Sequence, residues 1–120
     1  MTPAIWAAVF LIGGCGSVLR VVVAGAIGTA GRGFPLGTLV VNVSGAFVLG
    51  VLTGLVLPHD AALLAGTAAT GSYTTFSTWL LDTHRLAEQR QHAGAIGNVV
   101  VSLAFGVAGA ALGRWLGTAG

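Results

Sequence analysis

The chain has 120 residues, of which 55% are hydrophobic and only 7% charged, with a formal net charge of +2. A soluble domain carries about 25% charged residues, so five basic and three acidic side chains are too few to cover a wetted surface. The apolar excess points to lipid as the solvent, and the positive charge is too small to suggest nucleic acid as a partner.

The first apolar run covers residues 5–27 and is interrupted only by Arg20. No basic residue precedes it and it continues past signal-peptide length, which predicts a retained spanning helix. Cys15 lies within it, has no second cysteine to bond, and is read as helix packing. Glycines and Pro35 separate this run from a second at residues 36–57, which stops at Pro58-His59-Asp60. A third covers residues 61–81 and is followed by the dense charges of residues 82–92, DTHRLAEQRQH. The fourth covers residues 95–115, where Arg114 and Trp115 are placed as interface anchors. Each run is close to the roughly 20 residues that a helix needs to cross a bilayer core. Residues 1–120 therefore read as a single four-helix membrane domain.

The third run contains a conflict. Residues 66–78, GTAATGSYTTFST, crowd Gly, Ser and Thr at membrane depth. Irregular backbone survives inside a bilayer only where protein or a polar cavity satisfies it, and broken helices of this kind build ion sites from released carbonyls and helix ends. The alternative is a continuous helix whose small residues pack against neighbours. Elsewhere Gly50 and Gly54, and Gly109, Gly113 and Gly117, recur at four-residue spacing and line helix faces suited to close approach. Four short spans leave little interior for a pathway, so assembly with a second subunit is expected.

Several polar residues fall inside the spans. Asn42 is in the second, with Thr38 one turn earlier on the same face; Asn98 and Ser102 repeat that spacing in the fourth. An unpaired amide in hydrocarbon is costly, so Asn42 faces either a partner on another helix or a wet path. No Asp, Glu or Lys sits centrally in a span, which argues against a proton-coupled carrier. Amide and hydroxyl donors suit a small, hard anion shedding water. The electropositive edges of Phe76 and Trp79 are able to face one too, although residue type alone favours lipid contact or packing for both rings. Enzymatic readings are weak: metal-spaced clusters are missing, no serine has a histidine at its depth, and GGCGS lacks the context of a dinucleotide site.

Three segments taken together resemble the Fluc (also called CrcB) family of fluoride channels: GGCGSVLR at residues 13–20, GTLVVNVSGAFVLG at 37–50 and GSYTTFSTWLLD at 71–82. Their order and spacing agree with the family over nearly the whole chain. The resemblance implies an all-α membrane protein of four transmembrane helices, the third broken near its middle, in an antiparallel (dual-topology) homodimer. It further implies two passive fluoride pores between the subunits, in the plasma membrane. It also implies a structural sodium ion at the dimer centre, held by backbone carbonyls that match Gly71 and Thr74. By the same match Asn42 is the pore amide, Ser77 and Thr78 belong to a hydroxyl track, and Phe76 is the first of two rings flanking the fluoride path. Thr38, Asn98 and Ser102 are assigned to that path, and Arg20 matches an arginine near the pore entrance.

Three positions depart from the family's usual residues. TTFSTW places Trp79 where the family usually has phenylalanine, and Asp82 replaces a glutamate. Asn98 stands where many members have tyrosine, although Ser102 fits. Arg32, Arg85 and Arg90 share one side of the four-span layout and Arg114 the other, which favours external termini. That bias raises an oppositely oriented paralogue as the alternative partner to a second copy. Two other functions remain in view, a small four-helix exporter of cationic compounds and a non-transporting assembly partner. The exporter would need an acidic residue in an early span, and the first span has none.

Overall fold

The computed structural model describes residues 2–31 and 33–119, and its regular elements are helices. Arg32, counted above in the charge bias, lies outside the described residues. Helix α1 (Pro3–Ile27) opens with the Thr2 hydroxyl accepting the Ile5 N–H at 3.3 Å and with Pro3 in the first turn, where no amide is needed. It closes at Gly28, whose φ of 71° suits a residue without Cβ and whose N–H returns to the Ala24 carbonyl. Ala30 and Phe34 then exchange backbone bonds across a tight loop.

Helix α2 (Leu36–Leu55) ends at left-handed Val56 ahead of Pro58. The next stretch winds irregularly: α3 (His59–Ala62), a π-helical segment (Leu63–Thr70) and α4 (Gly71–Tyr73) form one run that stops at Thr74. After non-helical Thr74 to Phe76, α5 (Ser77–Glu88) begins, and α6 (His92–Ala119) follows a turn with Arg90 at φ 58°. Helices α1, α2 and α6 are each long and apolar enough to cross a membrane. The expected third span is two shorter helical stretches, one on each side of the break. Its charged tail is no loop: Asp82 to Glu88 continue α5.

Close contact between α2 and α6 holds the fold together, and glycine makes it possible. A Cβ added to Gly113 would run into the Phe47 carbonyl and the Val51 amide, and one on Gly50 into the Ala110 carbonyl and the Arg114 amide. Gly54 and Gly117 meet one turn further along. Backbones this close gain dispersion along their full length, the main attraction available where lipid is as apolar as the side chains. On the other flank, α1 receives Ser72 at Gly16.

Few apolar side chains are buried. Val41, Ala68, Leu86 and Ala95 are, while Phe10 is 74% exposed and Phe105, Val107 and Trp115 also point outward. In water such a surface would be a large aggregation liability. In a bilayer it is the ordinary outer face, and the chain is a membrane protein.

Candidate functional site

The site begins with the backbone at the break. Thr74 is extended (ψ 160°), so the helical turn cannot close there. The Thr75 amide, which in a continuous helix would bond the Gly71 carbonyl, donates to Asn42 Oδ1 at 2.8 Å. The Thr78 amide, which would bond the Thr74 carbonyl, donates to Thr75 Oγ1 at 3.2 Å. Both carbonyls are thereby released from helical bonding. Gly71 receives only a long 3.4 Å bond from the Thr74 hydroxyl. Asn42 also donates Nδ2–H to the Thr75 carbonyl at 2.9 Å, so its amide pairs with both backbone groups of Thr75 as a neighbouring strand would. Irregular backbone at membrane depth requires such a partner.

A cleft of about 610 Å³ lies beside the break, and Asn42, Gly71, Thr74, Phe76 and Trp79 all line it. The Phe76 and Trp79 rings are 5.5 Å apart and tilted by 45°, with Phe76 largely exposed and Trp79 half-buried. No ionisable side chain is among the described residues lining this cleft. Gly45 also lines it, and a Cβ there would meet the Thr74 methyl.

Thr38 and Thr78 stand elsewhere, around a pocket of about 190 Å³ between α1, α2 and α5. Buried Asp82 dominates it: one carboxylate oxygen accepts the Thr38 hydroxyl at 3.0 Å, and the other lies 3.6 Å from the Arg85 guanidinium. Thr38 therefore shares a helix face with Asn42 in sequence but spends its hydroxyl hydrogen on Asp82. Ser77 is exposed at the first turn of α5. Arg20 is half-buried on α1 and lines neither the cleft nor the Asp82 pocket.

Asn98 and Ser102 lie in the seam between α5 and α6. Asn98 is fully buried; its Nδ2–H donates to Thr83 Oγ1 at 2.8 Å, and its Oδ1 accepts the Ser102 hydroxyl at 3.3 Å. Thr83 passes its own hydrogen to the Trp79 carbonyl at 2.9 Å, and the Trp79 indole N–H reaches the Asn98 carbonyl at 3.4 Å. The extra donor that tryptophan brings is thus directed at α6 backbone and away from the cleft.

Sequence reasoning gave Thr75 and Thr83 no role of their own, used Arg85 only for its charge, and noted Asp82 only as a departure. Thr78 and Asp82 are four apart, a helical spacing that would have carried α5 past Leu81. Nothing local marks Thr83, since its partners are Asn98 on α6 and the Trp79 carbonyl one turn back on its own helix. Among the described residues no three His, Cys, Asp or Glu side chains group closely enough to share a metal ion.

Residues 7–114 match the family described as CrcB-like protein, Camphor Resistance (CrcB). The chain is 60% identical over 116 residues to the fluoride-specific ion channel FluC 2 of Mycolicibacterium paratuberculosis, covering 96% of this chain and 95% of that one. It is 56% identical over 117 residues to FluC 2 of Mycobacterium tuberculosis, covering 97% and 93%. To FluC 1 of Leifsonia xyli it is 45% identical over 124 aligned positions, covering 98% and 89%. With nine-tenths of its length inside that match and relatives this similar end to end, the chain belongs to the CrcB (Fluc) family.

Proposed function

We propose that the protein is a fluoride-selective channel that lets cytoplasmic fluoride leave passively across the plasma membrane, and that it is not an enzyme. One observation carries this reading: near full-length similarity to proteins named fluoride-specific ion channels. The cleft adds physical support. Its polar lining is amides, hydroxyls and ring edges with no titratable group among the described residues, which suits diffusion of a small anion better than proton-coupled exchange. Asn42 commits one of its two amide hydrogens to Thr75 and retains the second for an anion. Exposed Ser77 and Phe76 offer a hydroxyl and an aromatic ring, and exposed Thr78 a second hydroxyl from the side of the Asp82 pocket. Arg20 would raise the local anion concentration from α1, while Thr38, Asn98 and Ser102 act mainly by fixing the helices that carry these groups.

The open cleft is covered, in this reading, by a second subunit in antiparallel orientation, giving two pores between the pair. The released Gly71 and Thr74 carbonyls fit a sodium site, because hard oxygen dipoles without amide partners are good ligands for a hard cation. When bound, the ion supplies the positive charge that satisfies them. One chain contributes two such carbonyls and an antiparallel pair four.

The arginine bias favours a second version of the assembly, in which the partner is an oppositely oriented paralogue. Relatives carrying the numbers FluC 1, FluC 2 and FluC 3 in their names are compatible with it. To test the channel reading, purified protein is reconstituted in liposomes and fluoride efflux is followed with an electrode. Wild-type protein is expected to empty the vesicles of fluoride, and Phe76→Ala to slow efflux at least tenfold while the dimer persists on size exclusion. Efflux unaffected by Phe76→Ala would place the path elsewhere, and no wild-type efflux would overturn the reading.

A further inference from the structure

Three consecutive residues at the break lie across one turn of α2. Tyr73 Oη is 3.1 Å from Ser44 Oγ, Thr74 presses its methyl against Gly45, and Thr75 exchanges two bonds with Asn42. Residues 42 and 44 point to different sides of α2, so the chain passes over the helix at Gly45 and is fastened on both flanks. On the Asn42 flank is the cleft that holds Phe76 and Trp79. On the Ser44 flank is a separate apolar cleft of about 510 Å³ against α1, lined by Tyr73, Leu11 and Cys15 among others.

The direction of the hydroxyl pair follows from its neighbours. Ser44 Oγ lies 3.1 Å from the Val41 carbonyl and has one hydrogen to give. With that hydrogen donated to Val41, Ser44 accepts and Tyr73 donates. The bond matters because little local structure steadies this stretch. Helix α4 is three residues long, follows a π-wound segment and ends in extended Thr74. Tyr73 sits between Gly71 and Thr74, the two residues whose carbonyls are freed.

We propose that the Ser44–Tyr73 hydroxyl pair is a positioning device that fixes how the Gly71 and Thr74 carbonyls are presented, and thereby sets sodium affinity independently of the fluoride path. The inference rests on the sodium reading given above, and its test separates the two. Tyr73→Phe removes only the donor, and Ser44 keeps its bond to Val41. Protein is purified and reconstituted without sodium in N-methylglucamine buffer, and fluoride efflux is measured while sodium is restored stepwise. Losing one hydrogen bond is expected to raise the half-activating sodium concentration about three- to tenfold. The maximal efflux rate and the fluoride-over-chloride ratio at saturating sodium should match wild type. Ser44→Ala should shift the curve in the same direction, and Ser44→Thr, which keeps a hydroxyl, should restore it.

Wild-type efflux indifferent to sodium would remove the sodium reading and this inference with it. A sodium-dependent wild type whose curve Tyr73→Phe and Ser44→Ala both leave in place would overturn the inference alone. A lower maximum at every sodium concentration would show a general structural role and overturn it too. If Tyr73→Phe fails to assemble, the contrast between Ser44→Ala and Ser44→Thr decides the matter by the same criteria.

Discussion

Asn42 does for Thr75 what an adjacent strand would do, and its loss therefore has two consequences. Asn42→Ala leaves an amide and a carbonyl unpaired at membrane depth, each costing about 1–3 kcal/mol. In the channel reading it also removes the amide donor proposed for the anion. The variant is expected to melt at a clearly lower temperature in detergent and to lose fluoride efflux; a fully stable Asn42→Ala protein would contradict the clamp. Asp82 tests a different residue-scale argument. Asp82→Asn keeps an acceptor for Thr38 and gives up only the ion pair with exposed Arg85, worth at most about 1 kcal/mol. Asp82→Leu removes the acceptor of the buried Thr38 hydroxyl and puts a larger apolar side chain among the polar groups of that pocket. Melting temperature should fall little for the first and markedly for the second, and equal losses would show that the ion pair matters more than the Thr38 bond.

The seam between α2 and α6 is packed through glycines on both helices. Gly113 faces backbone on α2, so Gly113→Ala must push the helices apart, whereas a Cβ on Gly25 of α1 meets nothing within 4 Å. Gly113→Ala is expected to give aggregated or poorly expressed protein and Gly25→Ala a well-behaved one, read by yield and size exclusion. Equal behaviour would mean that the α2–α6 seam yields more readily than its close contacts imply. The long helices were readable from sequence because apolar length alone predicts them. The broken span was readable only in part. Gly, Ser and Thr marked a weak stretch around Gly71 to Thr75, but the non-helical residues are Thr74 to Phe76. Gly71 and Ser72 stay helical, and Ser72 owes its small size to packing against Gly16. Both readings of that stretch therefore describe part of it, a true break and a small-residue contact. The π winding of Leu63–Thr70 is a matter of hydrogen-bond register, which composition does not encode.

At the scale of the whole molecule, the chain exposes apolar surface outward and gathers polar groups at the break, in the Asp82 pocket and in the α5–α6 seam. Contacts between residues far apart in sequence, such as Thr38 with Asp82, were invisible beforehand because neither residue carries a local sign of its partner. The arginine distribution was visible and bears on assembly. With Arg85 and Arg90 at one end and Arg114 at the other, a chain expressed alone should insert chiefly with its termini outside. Reporter fusions at both termini check this: a single orientation supports pairing with a paralogue, and an even mixture supports a homodimer of both orientations. The claim beneath all of these is selective, passive fluoride movement. Its most direct measurement compares fluoride and chloride efflux from proteoliposomes of the unmodified protein, with voltage clamped by a potassium ionophore. Rapid fluoride loss that follows the imposed voltage, with chloride retained, is the expected result. Equal loss of both anions, or no loss of fluoride, would contradict it.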